Sequence, residues 1–128
     1  MKTLLLQIFT WWNGQTMGTR FFTWRKGVRV GEDSAGNVYY QTADGKRRWV
    51  IYNGPAEASA IQAGWHGWMH HRVDTPPTQE TYVPHPWEKP HQENFTGTAR
   101  AYRPQGSILT PESRPRVTGD YDAWTPGS

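Results

Sequence analysis

Three stretches decide how this chain folds: Val28-Arg29-Val30, Val38-Tyr39-Tyr40-Gln41-Thr42 and Arg47-Arg48-Trp49-Val50-Ile51-Tyr52. Their hydrophobic period is two, and they are rich in the β-branched and aromatic types that suit a pleated surface. Asp33-Ser34-Ala35-Gly36-Asn37 is a turn cluster between the first two. Asp44-Gly45 is a hairpin turn between the second and third, because Gly tolerates the positive φ such turns require. Asn53-Gly54-Pro55 closes the run. The pattern predicts a three-stranded antiparallel meander with large side chains on both faces. A sheet that small needs a second layer to cover it.

Helical periodicity lies on either side. Leu5, Ile8, Phe9 and Trp12 fall at i, i+3, i+4 and i+7, with Leu4 and Trp11 widening the face and Asn13-Gly14 as a stop. Such a stripe suits a membrane surface, a partner groove or packing on its own domain. Met17, Phe21, Phe22 and Trp24 form a second short apolar stretch that can be helical, ended by Arg25-Lys26-Gly27. Downstream, Ala58, Ile61, Trp65, Trp68 and Met69 recur at helical spacing within Glu57 to His71. Gly64 and Gly67 favour two short helical turns there over one continuous helix.

After Arg72 the chain changes character. Nine of the ten prolines lie in residues 72–128. Proline lacks a backbone donor and fixes φ, so regular helix and central strand are both excluded. Tyr82, Trp87, Phe95, Tyr102, Tyr121 and Trp124 are spaced along this segment, and spaced aromatics in an extended chain are typical interface anchors. The predicted architecture is a small α+β fold. It comprises an amphipathic helical segment over 1–26, the small sheet with short helical cover over 27–71, and an extended tail over 72–128 lying on a partner.

Composition sharpens this. The 128 residues include eight Trp, six Tyr and four Phe, yet the only Leu or Ile beyond position 61 are Ile108 and Leu109. A self-sufficient enzyme core normally draws on aliphatics along its whole length. With no Cys, disulfides, thiolate nucleophiles and Cys-ligated metal centres are excluded. Neither a signal peptide nor an Arg-rich transit peptide is evident, so a cytosol-facing chain is expected. Net charge is +3, with the first 50 residues carrying eight Lys or Arg against three acids.

No catalytic pattern emerges. His66 and His70 are spaced as a possible metal pair, but a third ligand and the H-E-x-x-H pattern are missing. His85 and His91 lie in the proline-rich part without defined geometry. There is no phosphate-binding Gly-rich loop and no nucleophile elbow. Glu32-Asp33 and the pair Asp120 and Asp122 read as solvated turn residues rather than acid–base pairs. Arg47, Arg48, Trp49 and Tyr52, with Tyr39 and Tyr40 on the neighbouring strand, look like a basic stacking surface for single-stranded nucleic acid. The alternative is packed aromatics with arginines on protein acceptors.

Four ordered motifs point further. They are Val30-Gly31-Glu32-Asp33 with Gly36-Asn37-Val38-Tyr39-Tyr40, then Arg48-Trp49-Val50-Ile51-Tyr52, then Trp65-His66-Gly67-Trp68-Met69-His70 before Thr75-Pro76-Pro77. The fourth runs through Lys89-Pro90-His91, Asn94-Phe95-Thr96-Gly97-Thr98 and Ala101-Tyr102-Arg103-Pro104. In this order they resemble the 17.2 kDa-type accessory subunits of NADH:ubiquinone oxidoreductase, respiratory complex I. The match covers residues 20–106. The resemblance implies a non-catalytic subunit that stabilises the peripheral arm and binds no flavin, iron–sulfur cluster or quinone itself. Its implied partners are the core iron–sulfur subunits and a small zinc-containing accessory subunit, with no nucleic acid. A bacterial member would sit on the cytoplasmic side of the inner membrane, and a mitochondrial one would face the matrix. A complex I assembly chaperone is the nearest alternative, and a stand-alone nucleic-acid module is a more distant one. Tyr39, Tyr40, Arg48, Trp49, Tyr52, Trp65, Trp68, Trp87, Tyr102 and Arg103 are the expected core or interface anchors.

Overall fold

The computed structural model describes residues 2–10, 14–110, 119 and 123–127. Trp11, Trp12, Asn13, Asp120, Tyr121 and Asp122, all singled out above, lie outside the described residues. The chain divides into two compact units, Met1–Asn94 and Phe95–Ser128.

In the first unit the period-two stretches form β1 (Val28–Glu32), β2 (Val38–Gln41) and β3 (Arg48–Ile51) in antiparallel order β1-β2-β3. Tyr39 pairs with Val50 and Tyr40 with Trp49. The hairpin expected at Asp44-Gly45 is present: Gly45 has φ +69°, and the Thr42 amide donates to the Arg47 carbonyl at 2.9 Å. A bulge between Arg29 and Gly31 shifts β1 so that Gly31 stands opposite Tyr39. That bulge has a packing reason. A Cβ on Gly31 would lie 2.9 Å from Cη2 of Trp65, so only glycine lets the indole lie against the strand.

Each face of the sheet has its own helical cover. α1 (Lys2–Phe9) and α2 (Met17–Lys26) precede the sheet, and Thr16 caps α2 by accepting the Thr19 amide at 3.3 Å. On the Tyr40–Trp49 face, the Phe22 ring of α2 meets Trp49 at 5.2 Å. There the Trp49 indole also donates to Thr23 Oγ1 at 2.9 Å. The opposite face is covered by two short helical pieces, as expected, a 3-10 turn (Ala58–Ala60) and α3 (Ala63–Met69), but the break falls at Ile61-Gln62 and both Gly64 and Gly67 lie inside α3. His71, at φ +58°, ends α3. Among the described residues no helix or strand follows Met69.

The core is small. Tyr39, Ile61, Trp65 and Trp68 are its buried hydrophobics, with Val30, Val50, Tyr52 and Met69 packed at the margin. In the second unit, turns hold the chain: the Thr98 amide donates to the Phe95 carbonyl at 2.9 Å, and Arg100 lies 4.1 Å over the Phe95 ring.

Candidate partner interface

Strand pleating separates the predicted anchors. Tyr39 is on the α3 face and stacks on Trp65, with centroids 4.0 Å apart and planes 2° from parallel. Trp68 closes this pair edge-on, at 5.6 Å and 90° to Trp65. Offset and edge-on contacts of this kind are the favoured aromatic geometries. Tyr40 and Trp49 lie on the α2 face, stacked on each other at 6.2 Å. Tyr39 and Arg48 are therefore on one side of the sheet and Tyr40 and Trp49 on the other. They do not form a single platform on which bases could stack.

Arg48 acts as a staple across the molecule. Its Nη1 donates to the carbonyls of Trp68 at 2.6 Å and Val73 at 3.2 Å, while Nη2 pairs with Asp74 at 3.2 Å. The guanidinium also lies 4.8 Å over the Trp68 ring. One side chain thus satisfies carbonyls at the end of α3 and fixes where the proline-rich segment leaves it.

The buried polar centre sits beside this cluster. Asp33 Oδ1 accepts the amides of Ala35 and Asn37, and Oδ2 accepts Asn37 Nδ2 and the Tyr39 hydroxyl, all within 3.0 Å. Asn37 Oδ1 in turn accepts the Asn53 amide at 3.0 Å, tying this turn to the end of β3. Gly36 has φ +87°, and a Cβ there would stand 2.6 Å from Asn53 Nδ2. Burial first, and then the hydrogen bond to Asp33, pushes the Tyr39 phenol far above the ordinary tyrosine range, so it remains a donor. The sequence reading of Asp33 as a solvated turn residue is corrected here, since it is only 8% exposed. Glu32 beside it is exposed and pairs with Arg29 at 2.8 Å. An Asp and an Asn bracketing a turn glycine, with Tyr two residues on, are the signal in the sequence that marks this centre.

Tyr52 packs at the core margin, and the other anchors, Trp87, Tyr102 and Arg103, are exposed. Trp87 is 76% exposed and stacks on His85 at 5.3 Å. It joins Tyr82, Pro77, Gly64 and Lys89 around an open groove of about 720 Å³. His91 Nε2 lies 2.7 Å from the Ser59 carbonyl, and the Asn94 amide donates to Ser59 Oγ at 2.9 Å, so the chain as far as Asn94 is held to the first unit. In the second unit Tyr102 is 89% exposed, and Arg103 reaches the Leu109 carbonyl at 3.5 Å. The His66 and His70 rings meet at 4.2 Å with their planes tilted by 48°, but the described residues contain no group of three His, Cys, Asp or Glu able to hold a metal. No helix among them is long and apolar enough to cross a membrane.

The family described as NADH ubiquinone oxidoreductase subunit NDUFA12 matches residues 27–126, spanning the sheet, α3 and the proline-rich segment. Over 106 residues the chain is 36% identical to "Probable NADH dehydrogenase [ubiquinone] 1 alpha subcomplex subunit 12" of Arabidopsis thaliana, covering 76% of this chain and 65% of that protein. The Bos taurus protein named "NADH dehydrogenase [ubiquinone] 1 alpha subcomplex subunit 12" is 37% identical over 94 residues, covering 62% and 64%. Its Dictyostelium discoideum namesake is 33% identical over 91 residues, covering 67% and 66%. The chain thus spans just under two thirds of the length of these curated relatives, from 64% to 66%. The stacked Tyr39–Trp65–Trp68 cluster, the Arg48 staple and the aromatic segment after Arg72 all lie within the matched residues, and the chain belongs to the NADH ubiquinone oxidoreductase subunit NDUFA12 family.

Proposed function

We propose that this chain is a non-catalytic accessory subunit of the proton-pumping NADH:quinone oxidoreductase, complex I. In this reading it stabilises the peripheral arm around the iron–sulfur subunits and so supports respiratory electron transport. Its neighbours are the core iron–sulfur subunits and a small zinc-containing accessory subunit. Flavin and iron–sulfur clusters belong to those partners, and this chain binds none. The location is the cytoplasmic face of a bacterial inner membrane, or the matrix face if the chain is mitochondrial.

The family match carries the proposal. The physical support is the contrast, among the described residues, between four buried core hydrophobics and the exposed Tyr82, Trp87 and Tyr102. Large aromatics left in water beside a small core are suited to binding energy on a partner.

A chain ending at Asn94 tests the docking role of the segment beyond it. That cut leaves the Ser59 contacts of His91 and Asn94 intact. The shortened chain is expected to migrate apart from the large complex in native gels, while the full chain migrates with it. Co-migration of the shortened chain would refute the role of residues 95–128.

A further inference from the structure

α2 is amphipathic in an unusual sense. Thr19, Phe22 and Thr23 lie on its sheet-facing side, where Phe22 and Thr23 contact Trp49. Met17, Phe21 and Trp24 recur at i, i+4 and i+7 on the opposite side and are 40%, 58% and 80% exposed. The side facing away from the protein is therefore apolar. Phe21 and Trp24 contact each other there at 5.8 Å. Arg20 and Arg25 flank the stripe on its two edges.

α1 repeats the pattern. Leu4, Leu5, Ile8 and Phe9 are all at least 49% exposed. Gln7 is the one polar residue between Leu4 and Phe9, and it accepts a 2.9 Å hydrogen bond from Arg20 Nη1. This bond ties the apolar α1 to the edge of the α2 stripe.

Charge identifies what covers this surface. The segment that carries α1 and α2, residues 1–27, holds Lys2, Arg20, Arg25 and Lys26 and no Asp or Glu. A protein groove could accept the apolar stripe, but it gives no general reason for the uninterrupted basic flanks. A bilayer surface with anionic headgroups does. It buries Leu, Phe and Trp at the acyl boundary while arginines at the stripe edges reach the phosphates. We propose that α1 and α2 together form an in-plane anchor that binds the surface of an anionic phospholipid bilayer. The inference does not depend on the partners proposed above, because it concerns lipid alone.

The test is flotation of the full chain with vesicles, comparing phosphatidylcholine containing phosphatidylglycerol with pure phosphatidylcholine. The wild-type chain is expected to float with the anionic vesicles and to be released as salt rises. The F21E/W24E double variant, whose changes lie on the exposed stripe, is expected to bind roughly tenfold more weakly or worse with the urea midpoint unchanged. A folded chain that ignores anionic vesicles, binds neutral ones equally, or is unaffected by F21E/W24E would overturn the proposal. A second measurement needs no isolated chain: a photoreactive phenylalanine at position 21 in native membranes should form phospholipid adducts. Adducts to protein alone would overturn the lipid assignment. Loss of the complex I reading would leave both results standing.

Discussion

Trp68→Ala is expected to remove most or all of the cooperative unfolding transition of the chain. Trp68 is 1% exposed, stands edge-on to both Trp65 and Tyr39, and lies beneath the Arg48 guanidinium. Truncating a buried Trp typically costs about 3–5 kcal/mol through lost burial and the cavity left behind. Among the described residues only three other buried hydrophobics share this core. A domain's whole stability is typically about 5–15 kcal/mol, and a small core lies at the low end. The cavity would also undercut the Arg48 staple, so the loss should exceed that of an isolated core site. Urea unfolding followed by far-UV circular dichroism measures it, with Trp68→Phe as the milder control expected to retain a transition at lower urea. A Trp68→Ala chain with a wild-type midpoint would show that the cluster does not hold the fold.

Asp33→Ala should be nearly as damaging for a different reason. The substitution removes little apolar area but deletes the acceptor of four hydrogen bonds. The Tyr39 hydroxyl and Asn37 amide group would then be left buried without that partner. Unsatisfied buried donors cost about 1–3 kcal/mol each, so a loss of about 3 kcal/mol or more is expected. Asp33→Asn should be milder, since the amide oxygen can still accept some of these bonds. A double-mutant cycle with Tyr39→Phe should show that part of the Asp33 loss disappears when the phenol donor is already gone. Strict additivity would mean that the Asp33–Tyr39 bond contributes nothing.

Trp68 and Asp33 differ in how far the sequence alone reveals them. The strands and hairpin follow from the period-two residues of 28–52 and from Asp44-Gly45, because those signals are local. Trp65 and Trp68 at i, i+3 mark the covering helix for the same reason. Asp33 reads wrongly as solvated because its burial is created by Asn37, Tyr39 and Asn53 closing over it, and Asn53 is brought there by the sheet. Arg48 stands out as an anchor in the sequence, but its acceptors lie 20 to 26 residues away and only the fold brings them to it. The direction of α2 is also non-local. Its apolar residues are plain, yet which side turns to the sheet is set by Trp49 reaching Thr23, 26 residues apart. Among the anchors in the first unit, pleating and packing assign Tyr39, Trp65 and Trp68 to the core and leave Trp87 outside.

Affinity purification of the full chain from gently solubilised membranes asks whether it resides in the respiratory complex. The full chain is expected to co-purify in equimolar amount with the iron–sulfur subunits, in a fraction that oxidises NADH with quinone. Recovery only with inactive partial assemblies would identify an assembly factor, and recovery without any iron–sulfur subunit would rule out an accessory-subunit role.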